Sequence, residues 1–86
     1  MPTNPTRDES EGPRSLAEAY PLEQARVRRL LVFCKEQAAK DPKANRGLAT
    51  YARMILEPLL EVADKAAADG DVVGMIRAYA AMQEIK

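Results

Sequence analysis

Three stretches of this chain carry apolar residues at spacings of three and four, the period of a helix buried along one face. The first is predicted over about 21–39. Leu22, Val27, Leu30, Leu31, Cys34 and Ala38 form its stripe, and Phe33 widens it on one side. Val32 falls on the opposite face, as a lone exposed residue or a contact with another chain. Pro21 suits a first helical position, where its missing N–H costs nothing. Asp41-Pro42 ends this stretch, and Asp41 is a cap for the next one. The second helix is predicted over about 45–69. Its broad face comprises Leu48, Ala52, Ile55, Leu56, Leu59, Leu60, Val62, Ala63 and Ala66, with Tyr51 on the flank. Pro58 lies in its middle and removes a backbone bond while crowding the Met54 carbonyl, so a kink or a split is expected there. The third helix, over about 72–85, places Val72, Met75, Ile76, Tyr79 and Met82 on one stripe.

The punctuation between the second and third helices is the clearest in the chain. In Ala68-Asp69-Gly70-Asp71-Val72, the glycine is the residue type that ends a helix in the left-handed conformation. Asp71 is the type that starts one. Gly74 weakens the first turn that follows, and close approach to the preceding helix would be a reason for it. Upstream, Ser15-Leu16-Ala17-Glu18 fits a capping box. Tyr20-Pro21 is expected to stop that helix after a turn or two, leaving Leu16 and Tyr20 as a lid on the core. Residues 1–14 hold Pro2, Pro5, Gly12 and Pro13 among charges and read as a disordered tail. The fold class is therefore all-α: a small three-helix up-down-up bundle over 15–86, with a short extra N-terminal helical turn and a disordered N-terminal tail.

Length and composition add bounds. Eighty-six residues make one domain. Frequent alanine favours helices, and Val, Ile and Thr are too scattered for strands. The single cysteine, Cys34, cannot pair internally, which fits a reducing, cytoplasmic setting. Apolar runs such as Leu30–Cys34 are far too short to span a membrane, and no signal peptide is visible.

Candidate chemistry is sparse. Without histidine the chain lacks the commonest general base and zinc ligand. Cys34 lies on an apolar stripe, where a thiol is inert. Glu57, Glu61 and Asp64 share a helix face, an acid–base set only if burial perturbs one of them. Arg53–Glu57 and Glu61–Lys65, each four apart, make solvated ion pairs the simpler expectation. No catalytic, cofactor-binding or metal-binding residue is assigned, and no cofactor is expected. The charge distribution is more informative. The net charge is zero, yet Arg26, Arg28, Arg29, Lys35, Lys40, Lys43, Arg46 and Arg53 face only Glu36 and Asp41 within their segment, a local charge of +6. These eight residues are the candidate partner-binding set, for an acidic protein surface or for nucleic acid or a nucleotide. Against the latter, Arg26, Arg28 and Arg29 splay over a broad arc of the helix, and no aromatics are interleaved among them for base stacking. Val32, Met54 and Ile85 fall off the main stripes and suggest a homo-oligomer or a larger partner.

Tyr20-Pro-Leu-Glu-Gln-Ala-Arg-Val-Arg28 and Gly70-Asp-Val-Val-Gly-Met-Ile-Arg-Ala-Tyr79 resemble short all-helical proteins encoded by bacteriophages and prophages. The resemblance covers most of Tyr20 to Lys86 and carries no site residues with it. It implies a non-catalytic protein that occludes a host protein or complex in the host cytoplasm, as anti-CRISPR and other anti-defence inhibitors do. The alternative expectation is a small nucleic-acid or nucleotide-binding module using the basic 26–53 segment.

Overall fold

The computed structural model describes residues 15–86, and the disordered tail expected over 1–14 lies outside the described residues. The described chain is helical, and no strand occurs among the described residues. Helix α1 runs Leu16–Lys40. Helix α2, Arg46–Tyr51, continues through a π-helical turn, Ala52–Leu56, into α3, Glu57–Asp69. Helix α4 spans Val72–Gln83. Helix α1 packs against every other element, and α3 against α4.

Helix α1 begins at the expected cap, with Ser15 Oγ accepting from the Glu18 N–H at 3.2 Å. It does not stop at Tyr20. The short lid and the separate start at Pro21 are corrected to one continuous helix with Pro21 inside it. Pro21 leaves the Ala17 carbonyl without a helical donor, but both residues are exposed and water can serve. Tertiary bonding outweighs the local bias against a helical residue before proline. Tyr20 is wholly buried, and its hydroxyl donates to the Ala63 carbonyl at 2.8 Å, across 43 residues of chain. Burial, and secondarily the Asp64 carboxylate, raises the Tyr20 pKa.

The turn between α1 and α2 is tied by side chains. Asp41 Oδ1 accepts from the Ala44 N–H at 3.2 Å. Asn45 Nδ2 donates to the carbonyls of Gln37 (2.8 Å) and Asp41 (3.1 Å), so it satisfies the end of α1 while preceding α2. The disturbance expected from Pro58 takes the form of the π turn. The Glu57 N–H reaches back five residues to the Ala52 carbonyl, immediately before the proline. A wider turn at this point eases the clash between the proline ring and the carbonyl four residues earlier.

The hinge closes as its residue types require. Gly70 has φ +67°, the Gly70 N–H bonds the Ala67 carbonyl at 3.2 Å, and the Asp71 N–H bonds the Ala66 carbonyl at 2.9 Å. Asp71 then caps α4 by accepting from the Gly74 N–H at 2.9 Å. A Cβ on Gly74 would collide with that carboxylate and come within 3.3 Å of Ala66 Cβ. The glycine thus accommodates both the cap and the close approach of α3.

The core comprises Tyr20, Val27 and Cys34 of α1, Ala52 and Leu56 of the π turn, Leu60, Ala63 and Ala66 of α3, Ala78 and Met82 of α4, and Ile85 beyond it. Several predicted stripe residues are corrected. Leu22, Phe33, Ile55, Val62, Val72 and Ile76 are exposed, whereas Ile85, expected off the stripe, is buried. Alanines at the contact between α3 and α4 allow close approach and leave larger neighbours at the rim.

Candidate functional site

The eight basic candidates do not converge on one patch. Arg26 is held within the fold. Its guanidinium binds Glu23 through two bonds of 2.9 and 3.0 Å and donates to the Met82 carbonyl at 2.8 Å, tying α1 to the end of α4. That hydrogen-bonded pairing lowers the Glu23 pKa, against an opposing effect of burial, and raises that of Arg26. Arg28 reaches across to α3, where both Asp64 oxygens accept from it at 2.9 and 3.1 Å, and Gln24 donates to the same carboxylate at 2.8 Å. Lys35 pairs with Glu57 at 2.7 Å, and Arg53 lies beside them in the groove between α1 and the π turn.

The other candidates lie apart. Arg29 is on the outer face of α1, beside Val32 and Phe33. Lys40 ends α1, Lys43 lies in the turn after it, and Arg46 opens α2; all three are exposed. Arg29, Lys40, Lys43, Arg46 and Arg53 form no ion pair with another described residue.

On the acidic face of α3, Glu57 and Asp64 are taken up by α1, while Glu61 forms no ion pair with another described residue. Glu57 is engaged by Lys35 rather than by Arg53, and Lys65 binds Asp69 at 2.9 Å rather than Glu61. Asp64 serves Arg28 and Gln24. Among the described residues, no group of three or more Cys, Asp or Glu side chains is arranged to hold a metal ion. No helix among them is long and apolar enough to cross a membrane. Cys34 is a buried free thiol on the inner face of α1.

What the structure exposes instead is apolar surface. An open groove of about 560 Å³ runs along α2 and the π turn, lined by Arg46, Gly47, Thr50, Tyr51, Met54 and Ile55. Met54 is 61% exposed and Ile55 44%. The sequence marked Met54 as off its stripe but assigned Ile55 to the core. The signal for both was the run Met54-Ile55-Leu56, since three successive residues of a helix cannot all face one neighbour. Here Leu56 is buried and the other two point away. A second groove, of about 520 Å³, lies on the outer face of α1.

No protein family, curated protein or solved structure matches the chain.

Proposed function

We propose that this chain is a non-catalytic binding protein that docks a protein partner on the groove of α2 and the π turn and thereby occludes it. The carrying observation is the juxtaposition of exposed Met54 and Ile55, beside half-buried Tyr51, with Arg46, a cation that no described carboxylate neutralises. Methionine adapts to varied apolar partners, and an arginine at the rim of such a surface selects an acidic group. A π turn is a recurrent feature of functional sites. The partner chemistry is thus an apolar segment bearing a carboxylate. The resemblance to small phage-encoded proteins supports this class, with blockade of host defence, anti-CRISPR inhibition included, as its biological form.

The up-down-up bundle belongs to the same reading. Tyr20 and Arg28, in the first half of α1, meet Ala63 and Asp64, and Lys35, near its end, meets Glu57 at the start of α3, which supports a second helical unit running back along the first.

The test is a photo-crosslinking residue at Thr50, on the groove wall, in lysate of a bacterial host. A discrete protein adduct that disappears with Ile55→Asp and with Arg46→Glu is expected. Adducts identical in wild type and both variants would refute the reading. Nucleic acid retained at low salt and released steeply with rising salt would favour the alternative, a binding module built on the five cations without described partners.

A further inference from the structure

We propose that the outer face of α1 is the contact between two copies of this chain, packed antiparallel about a two-fold axis between Val32 and Phe33. The inference uses a different face from the groove of α2 and does not rest on the partner assigned there. Leu22, Ala25, Arg29, Val32, Phe33 and Glu36 recur at spacings of three and four, on the side of α1 opposite Val27 and Cys34. Leu22, Val32 and Phe33 are each about half exposed or more, and no other element of the described chain covers them. A stripe of this period suits packing against another helix.

Charge selects the occupant and its direction. Arg29 and Glu36 flank the Val32–Phe33 centre, seven residues apart on the same face. Two helical turns separate them, about 10 Å along the axis, too far for a pair within the helix. Neither forms an ion pair with another described residue. A second copy running antiparallel about the stated axis sets Arg29 of each chain opposite Glu36 of the other and Val32 opposite Phe33, twice by symmetry. Ala25 then meets the aliphatic stem of Lys40. A parallel pair would oppose Arg29 to Arg29 and Glu36 to Glu36. The face is therefore self-complementary in one direction only.

One helix pair buries a small area, so a reversible dimer in the micromolar range is expected. Sedimentation equilibrium of the full chain, from about 1 µM to about 1 mM, tests it. Wild type should move from monomer to dimer across that range. Arg29→Glu and Glu36→Arg should each weaken association about tenfold or more, because each places two like-charge contacts in the dimer. The double variant R29E/E36R should recover association to within about threefold of wild type. Phe33→Ser should abolish it with helicity unchanged by circular dichroism. A chain monomeric throughout overturns the proposal. So does a dimer indifferent to the single reversals, as expected if the face were covered by another segment of the chain, or a double variant as weak as the singles.

Discussion

The two faces of α1 carry similar apolar content and have opposite fates. On the inner face Tyr20, Val27 and Cys34 are almost wholly shielded; on the outer face Leu22, Val32 and Phe33 stand half exposed. Hydrophobicity does not separate them, since Leu22 and Phe33 are larger and more apolar than Cys34. Polar anchoring does. Tyr20, within the inner face, is bonded to the Ala63 carbonyl, and Arg26, at its margin, to the Met82 carbonyl. These directional bonds fix which side of an ambivalent helix meets α3 and α4. A doubly amphipathic helix is thus oriented by its few long-range hydrogen bonds, and the stripe left over becomes available surface.

Substitutions on the two faces should therefore separate by size of effect. Tyr20→Ala should cost about 3–5 kcal/mol and leave a domain this small largely unfolded, as measured by thermal denaturation followed by circular dichroism. Tyr20→Phe keeps the packing and removes the bond to Ala63, for a loss of about 1 kcal/mol by urea titration. The same variant should blunt alkaline unfolding. Tyr20 has a raised folded pKa, so its stabilising contribution is complete below the ordinary tyrosine value and is lost as pH rises through the folded one.

Glu23 gives the acid counterpart. Its folded pKa is lowered by Arg26, so its contribution is present above the ordinary glutamate value of about 4.3 and disappears as pH falls through the lower folded value. Glu23→Gln should flatten that acid limb of a stability–pH curve. Smallest of all, Phe33→Ser should shift stability by no more than about 0.5 kcal/mol, because the residue lies on the exposed face. A large loss there would break the distinction between the faces. Cys34 sharpens it from the other side: the thiol should react with a bulky maleimide only as fast as the domain opens, matching amide exchange of core positions.

How much could be read from the chain alone follows the same division. The hinge at Gly70 and the cap at Ser15 were legible because each depends on a few neighbouring residues. The break expected before Pro21 was not, because Tyr20 is held helical by a partner 43 residues away, and no local rule contains that bond. The site of disturbance near Pro58 was legible; its form, a π turn ahead of the proline, was not. The burial pattern of α4 was legible in part. Met82 is buried and Met75 and Tyr79 pack against the core, as their spacing required, but Val72 and Ile76 stand exposed while small Ala78 and, beyond the helix, Ile85 are buried. For the candidate site, the basic segment was visible as composition, but composition does not show that Arg26, Arg28 and Lys35 are engaged by Glu23, Asp64 and Glu57.

The turn at Ala52–Leu56 has a consequence for length as well as for shape. A π turn holds about one residue more than an α turn over the same rise. Deleting Met54 would let the helix close into regular α geometry while Leu48 and Tyr51 keep their side against the core, because the π turn takes up the extra residue without turning its flanks. What the deletion removes is an outward-facing side chain beside Ile55, and with it part of the apolar wall next to Arg46. The surplus residue thus adds exposed surface and leaves the register of the core unchanged.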